Sequence, residues 1–404
     1  MGTKHYQSSD SFLYTLLQSH AARLGAIFQQ PQAYRLQIIY TSIDRDAHNR
    51  PYFTDYYYRV DTGEYFYPAS TVKLAAAALA LEKLNDLRIA GLDRHTPMYT
   101  SNLEGISPAV MSDSSAADYQ PSVGQYIKKI LLTSDNDAFN RLYEFIGQQA
   151  FNTQLWEQGY TDVQILHRVG VTRITPEQNR HTNAVTFRKD GQVVYEQASA
   201  ISNLAFSPRH DLIGKAWYNP RNELVNSPMD ASQKNRLPLV DLHNILRSII
   251  FPEAVTKSQR FRLKEEDYRF LHHCMSAQPE ESTFPRYNTT EFHHNYVKFL
   301  LFGGVQRNRP TADVRSFNKP GWAYGFLTDA AYIADFTHHV EFMLSATVYV
   351  NNDGILNDRH YQFEETGKPF LRALGEIIYE YELLRTRKYT PDLSKFRFDY
   401  TKIE

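Results

Sequence analysis

The spacing of apolar residues changes along this chain, and each change predicts an element. Leu13, Leu16, Leu17, Leu24, Ile27 and Phe28 recur three and four residues apart, behind the capping candidates Ser9, Asp10 and Ser11. That spacing predicts one amphipathic helix ending before Pro31. Residues 36–41 read as a strand, residues 44–50 as a polar turn, and residues 52–60 as a second, aromatic strand. Asp61-Thr62-Gly63 is turn chemistry. Tyr65-Phe66-Tyr67-Pro68 then leads into Leu74, four alanines (Ala75 to Ala78), Leu79, Ala80, Leu81 and Leu84. Alanine and leucine are the strongest helix formers, and so little polar surface predicts a buried helix. Pro121-Ser122 opens another helix with Val123, Ile127, Ile130 and Leu131 on one face. It stops at Thr133-Ser134-Asp135-Asn136, and a further helix carries Phe139, Leu142, Tyr143 and Ile146.

Near the end the period falls to two. Val340, Phe342, Leu344, Ala346, Val348 and Val350 alternate with Glu341, Met343, Ser345, Thr347 and Tyr349, which predicts a strand with one buried face. Residues 319–351 read as three sequential antiparallel strands. A closing helix is marked by Phe370, Leu371, Leu374, Ile377, Ile378, Tyr381 and Leu384. The pattern as a whole is α+β.

Composition narrows the functional classes. The net charge is −1 and no long basic run is present, so nucleic acid is not an expected partner. No apolar run approaches the roughly 20 residues of a membrane span. The start, Met1-Gly2-Thr3-Lys4-His5, lacks the apolar core of a signal peptide. Cys274 is the single cysteine and forms no internal disulfide. The 404 residues allow two or three domains, but no repeat or low-complexity linker divides them.

The candidate chemistry begins at Ser70. Ser70 falls at the start of the buried helix and Lys73 one turn on. Residues three apart share a helix face, which brings the Lys73 amine beside the Ser70 hydroxyl. A serine hydroxyl needs an adjacent base to become a nucleophile, and a lysine serves when burial lowers its pKa. The helix start adds free N–H groups for a developing oxyanion. A second Ser-x-x-Lys, Ser316-Phe317-Asn318-Lys319, shows that this tetrad is not specific alone. Ser134-Asp135-Asn136 between two helices is by itself ordinary turn and capping chemistry.

Taken together, Ser70-x-x-Lys73 on a buried helix, Ser134-Asp135-Asn136 between helices, and Lys319-Pro320-Gly321 near the C-terminus resemble the penicillin-recognising serine hydrolases. That family includes the class A β-lactamases and penicillin-binding proteins. The resemblance implies an antiparallel sheet flanked by N- and C-terminal helices, with an all-helical part carrying Ser70 and Ser134. It implies one catalytic domain over residues 1–404. The sheet part would span about 9–66 and 300–388, and the helical part about 67–299 with an insertion over about 187–252. It implies that Ser70 forms an acyl-enzyme and that Lys73 takes or relays its proton. Ser134 would pass a proton to the leaving nitrogen, and Lys319 would keep Lys73 basic and attract a substrate carboxylate. Asn136 would hold the substrate amide, and the N–H groups of Ser70 and Trp322, beside Gly321, would form the oxyanion hole. No cofactor and no metal is implied. Adjacent side chains in His272-His273, His293-His294 and His338-His339 diverge, and no thiol accompanies them. The partner is a small molecule, a β-lactam or a peptidoglycan-like peptide. Such substrates lie outside the cytoplasm, so a periplasmic or extracytoplasmic site of action is expected, with a leader trimmed from the start.

Three departures stand out. Pro320 replaces the usual Thr or Ser after the lysine, removing a hydroxyl and a strand donor. The Glu-x-x-Leu-Asn loop that activates the deacylating water has no match. Glu177, with Asn179 or Asn183, is the candidate substitute, and a solvated turn is its other reading. Lys319 follows Ser134 by 185 residues (319 − 134), longer than in class A enzymes, and part of the excess is assigned to the insertion as an arm, a lid or a dimer contact. The leading expectation is a β-lactamase-like serine hydrolase, with slow deacylation. The alternatives are a D-alanyl-D-alanine carboxypeptidase or esterase on the same fold, and a silent peptidoglycan- or partner-binding protein.

Overall fold

The computed structural model describes residues 7–171, 173–304 and 313–401; the start Met1-Gly2-Thr3-Lys4-His5 lies outside them. The first amphipathic segment is two helices, α1 (Ser11–Ser19) and α2 (Ala21–Gln29), where one was expected. His20 leaves helical geometry between them, and Gly25 kinks α2 at a φ of 59°. The spacing still places Leu13, Leu17, Leu24, Ile27 and Phe28 in the core.

Six strands form the main sheet: β1 (Gln37–Arg45), β2 (Pro51–Tyr58), β3 (Val314–Asn318), β4 (Gly321–Ala323), β5 (Phe326–Asp335) and β6 (Val340–Tyr349). Their order is β3-β5-β6-β1-β2, antiparallel throughout, with β4 also pairing with β5. β3 and β4 run in one register along β5: Asn318 faces Ala331 and Gly321 faces Thr328. Pro320 falls between them and has no N–H to give the ladder, so one strand of the sequence becomes two.

The sheet is covered on both faces. α1, α2 and α9 (Lys368–Leu384) bury Ile38, Tyr40, Phe342, Leu344 and Ala346. On the other face lies α7 (Leu239–Ile250), packed against β1, β5 and β6. This corrects the expectation that β6 exposes one face, since it is buried on both. The alternation is real, but its polar residues are buried with partners. Glu341 takes Arg45 Nε at 2.6 Å, Ser345 Oγ meets His243 Nδ1 at 2.8 Å, and Thr347 Oγ1 meets Thr328 Oγ1 at 2.7 Å.

The remaining helices make the second half of the core: α3 (Val72–Leu87), α4 (Val123–Thr133), α5 (Asn136–Ile146), α6 (Gln148–Glu157) and α8 (Glu265–Ser276). α3 packs against α4, α5, α7 and α8, and its alanines let those neighbours approach from every side. The stretch expected as an insertion, 187–252, ends on α7. Leu239, Leu242, Ile245, Leu246 and Ile249 of α7 are at most 1% exposed, so this helix is core. The stretch before it is strand-rich. A hairpin, Val185–Lys189 with Gln192–Gln197, turns at Asp190-Gly191 and pairs with Met98–Thr100. Ala216–Tyr218 pairs in parallel with Ile355–Leu356 beyond β6. Among the described residues, no helix is long and apolar enough to cross a membrane.

Candidate active site

Ser70 sits in a single 3₁₀ turn, Ala69–Thr71, that feeds α3. Thr71 closes the turn by donating its N–H and its hydroxyl to the Pro68 carbonyl, at 3.0 and 2.8 Å. Ala69 is held at a φ of 46°, a region that costs energy for a residue with a Cβ. Ser70 is half-buried and opens onto a cavity of about 320 Å³. Strand β4 crosses directly behind this turn. A Cβ built on Gly321 would lie 2.6 Å from the Pro68 carbonyl oxygen and 2.8 Å from the Ser70 nitrogen, both backbone atoms that cannot move aside. Gly321→Ala is therefore expected to push β4 off the Ser70 turn. Stability should fall by about 1–3 kcal/mol, the usual cost of overpacking. Thermal unfolding measures this, and an unchanged Tm would mean that the two backbones are not locked together.

Ser134 is brought to the same place by the end of α4, where it takes the left-handed conformation (φ 61°) that terminates that helix. Asp135 then caps α5, accepting from the Ala138 N–H at 2.8 Å. The capping reading of Ser134-Asp135-Asn136 is thus true of its backbone, while its side chains do something else. Lys73 Nζ donates to the Ser134 carbonyl at 2.5 Å, to Asn136 Oδ1 at 2.6 Å and to Ser134 Oγ at 3.3 Å. Lys319 Nζ donates to the same Ser134 Oγ at 3.0 Å and to the Pro320 carbonyl at 2.8 Å. One hydroxyl joins two lysines, and both lysines are fully buried. The Lys73 amine leans toward the α4–α5 turn, where the helix spacing alone placed it toward Ser70. Catalytic hydrogen bonds commonly tighten only when substrate is bound.

Burial pushes the Lys73 ammonium down to about 7, against a smaller upward pull from Asp135. Lys319 is driven well below the usual lysine range, first by burial and then by the charge of Lys73. Two ammonium groups facing one oxygen favour the loss of one proton.

Behind Lys319 lies a buried network that the sequence reading missed. Lys298 Nζ donates to the Ser316 carbonyl at 3.0 Å, to Asn318 Oδ1 at 2.9 Å and to the Met275 carbonyl. Asn318 Nδ2 donates to Asp329 Oδ1 at 2.9 Å, and Asp329 Oδ2 accepts the Phe299 and Leu300 N–H groups at 3.0 and 3.1 Å. The second Ser-x-x-Lys is explained here: Ser316 lies in β3, buried, and its carbonyl serves Lys298. A lysine inside the apolar run Tyr296-Val297-Lys298-Phe299-Leu300 was the available signal.

The cavity wall is aromatic. Tyr67, Tyr296, Trp322 and Tyr324 line it, and Trp322 meets Tyr296 and Phe299 edge-on at 6.0 and 5.3 Å. The far side is formed by Val169 and Gly170, where a Cβ on Gly170 would strike Asn136 Nδ2 at 2.5 Å. Among the described residues, no carboxylate and no histidine lines this cavity. Glu177 is not brought to it. Its side chain is 73% exposed and lies 3.5 Å from Arg180 Nε, the surroundings of a solvated turn residue. Asn179 and Asn183 are used to hold the loop. Asn179 Oδ1 accepts the Arg168 N–H at 3.0 Å, and Asn183 Nδ2 donates to the Ser101 carbonyl at 2.7 Å. The buried carboxylate of this region, Glu144, is taken by Arg141 and Arg168 at 3.0 and 3.1 Å. Among the described residues, Asp353, Asp358 and His360 are the one group placed to share a metal ion, and it contains none of the site residues.

A family model described as the beta-lactamase enzyme family matches residues 22–381. Solved structures similar to this chain include a beta-lactamase from Sphaerobacter thermophilus, 11% identical, covering 91% of this chain and 97% of that one with a TM-score of 0.48. A beta-lactamase from Desulfarculus baarsii is 16% identical over 89% of this chain and 97% of its own, with a TM-score of 0.48. A class A beta-lactamase from Clostridium kluyveri is also 16% identical, over 90% and 99%, with a TM-score of 0.46. No curated protein matches the sequence.

Proposed function

The chain belongs to the beta-lactamase enzyme family, and on that premise we propose that it is a serine hydrolase that opens β-lactam or related amide bonds through an acyl-serine, and releases the acyl group slowly. The observation that carries this reading is the sharing of Ser134 Oγ by two buried lysines at the cavity onto which Ser70 opens. In the proposed reaction Ser70 Oγ attacks the carbonyl carbon and its proton passes to neutral Lys73. The tetrahedral oxygen is met by the Ser70 and Trp322 N–H groups, and one such donor is worth about 10²–10³ in rate. The leaving nitrogen takes its proton from Ser134, which is replenished from Lys73. Lys319 supplies the positive field and Asn136 the contact to the substrate amide. Substrates of this kind lie outside the cytoplasm, so the proposal places the protein there.

Release of the acyl group needs a water deprotonated beside the ester. The cavity wall offers no carboxylate or histidine for this among the described residues. Benzylpenicillin is therefore expected to leave a one-drug mass increase that persists for minutes or longer by intact-protein mass spectrometry. Glu177→Gln is expected to leave that lifetime unchanged. Rapid substrate consumption without an accumulated adduct would overturn slow release, and an adduct trapped only in Glu177→Gln would restore Glu177 as the base. The same bare wall favours a second reading, a D-alanyl-D-alanine carboxypeptidase inhibited by penicillin. Turnover of a D-Ala-D-Ala peptide in the absence of chromogenic cephalosporin hydrolysis would select it.

A further inference from the structure

The strand-rich stretch before α7 is joined to the loop that closes the Ser70 cavity. Asn235, fully buried, makes the join. Its Oδ1 accepts the Leu166 and His167 N–H groups at 2.7 and 3.0 Å. Its Nδ2 donates to the His167 carbonyl at 3.2 Å, and its own N–H goes to His167 Nε2 at 3.2 Å. Beside it, Gln164 and Arg236 exchange backbone bonds at 3.0 and 2.8 Å. The loop held in this way runs on to Val169 and Gly170, which line the cavity. Because His167 Nε2 accepts, Nδ1 carries the ring proton and donates it to the Arg168 carbonyl. Burial pushes this histidine down to about 4, so it adds no charge.

Lys234 precedes Asn235, and its backbone is fixed on both sides. Its N–H donates to the Ala231 carbonyl at 2.8 Å, and its carbonyl takes Arg209 Nη2. The side chain is half-buried, and Nζ lies 5.6 Å from the centroid of the Tyr324 ring. Tyr324 meets Tyr67 edge-on at 5.0 Å, and Tyr67 stacks on His167 at 6.3 Å. Tyr67 and Tyr324 both line the Ser70 cavity, so the ammonium stands against a ring of its wall. Among the described residues, no carboxylate pairs with it. The neighbouring cations are already matched. Arg209 Nη1 lies 2.8 Å from Asp211 Oδ2, and Arg236 donates to the Thr62 carbonyl. A cation resting on a ring keeps its charge, and a fixed, unpaired ammonium suits an anion through charge-assisted hydrogen bonds.

We propose that Lys234 selects substrates that carry a carboxylate on their acyl part. The proposal rests on the acyl-serine reading above. On that reading the leaving nitrogen faces Ser134 and the acyl amide is held at Asn136, which packs against Gly170. The His167–Gly170 loop and the Tyr67 and Tyr324 rings then bound the acyl side, the side on which Lys234 stands. The substrate carboxylate meets the Lys234 ammonium, and the apolar part of the acyl chain lies on Tyr324. The substrate class is therefore an amide with an anionic acyl group: a β-lactam with an acidic side chain, or a peptide with a free carboxylate close to the scissile bond.

The test compares carbenicillin with benzylpenicillin, which differ by one carboxylate on the acyl α-carbon. Each is mixed with the whole chain, and adduct formation is followed by intact-protein mass spectrometry. Carbenicillin should acylate about tenfold faster at subsaturating concentration, the scale of one hydrogen bond to a charged group. Added salt should shrink that advantage. Lys234→Met should remove the preference and Lys234→Arg should keep it. Ser70→Ala, which lacks the proposed nucleophile, should bind carbenicillin more tightly than benzylpenicillin by a similar factor in calorimetry. Equal rates with equal binding, or a preference that survives Lys234→Met, overturn the proposal. A binding preference with no adduct on the wild type would instead overturn the acyl-serine reading and leave Lys234 in its role. Neither adduct nor binding by either drug overturns both.

Discussion

Replacing Ser70 by alanine is expected to give a folded protein that fluorescent penicillin and phosphonate probes no longer label. The turn around Ser70 is closed by Pro68 and Thr71, and the hydroxyl of Ser70 is not among the bonds that close it. Removing it deletes the proposed attacking atom and leaves the 3₁₀ turn, β4 and α3 in place. Thermal unfolding should therefore match the wild type while the labelled band disappears from a gel. Labelling that persists in Ser70→Ala would take Ser70 out of the mechanism and direct attention to another hydroxyl at the cavity, with Ser134 the first to test.

Lys73→Met should move activity and stability in opposite directions. In the proposed mechanism Lys73 is the base for acylation, a role worth about 10²–10⁴ in rate, and its loss should slow adduct formation by that much. In the wild-type protein the acylation rate should rise with pH through about 7, where the buried ammonium gives up its proton, and level off above. The variant should lack that step. For stability the sign is the reverse of an ion pair. Burial lowers the folded pKa, so between about 7 and the unfolded value near 10.4 the unfolded chain holds the extra proton. Stability therefore rises with pH across that window, and the cost of the buried charge is greatest below it. Exchanging a buried charged group for an apolar one of similar volume is often worth about 1–4 kcal/mol. Lys73→Met should thus raise Tm, most of all below pH 7. A loss of rate under about tenfold would point to another base, and a lowered Tm would mean that the bonds to Ser134 and Asn136 outweigh the burial cost.

What the sequence made legible was whatever is repeated or local. The three- and four-residue spacing located α1, α2, α4, α5 and α9, and the period of two located β6. Of the residues in the three short motifs, Ser70, Ser134 and Asn136 line one cavity, and Lys73 and Lys319 both bond to the Ser134 hydroxyl. The gaps arose where a residue's surroundings come from distant parts of the chain. Nothing near Glu341 or Ser345 announces that Arg45 and His243 will cover them, so β6 read as half-exposed. α7 follows a strand-rich stretch of turns and reads as part of it, although six of its apolar residues are core. Lys73 stands one turn from Ser70 in any helix, but only the left-handed ending of α4 sets the Ser134 carbonyl where that amine meets it. Glu177 follows a proline in a polar run, and no local pattern distinguishes a catalytic carboxylate from a solvated one there.

Lys73, Lys298 and Lys319 are each at most 2% exposed, and burial lowers the pKa of all three. For selection, this makes the cavity a place where the demands of persistence and of use separate. A variant library heated and recovered for fold alone should accumulate neutral residues at Lys73 and Lys319 early, since losing those charges helps a chain that has nothing to catalyse. The same library recovered for acylation should hold both lysines and collect its stabilising changes elsewhere. Lineages of this chain that have abandoned catalysis should carry that mark: the sheet and α3 kept, and the buried ammonium groups gone.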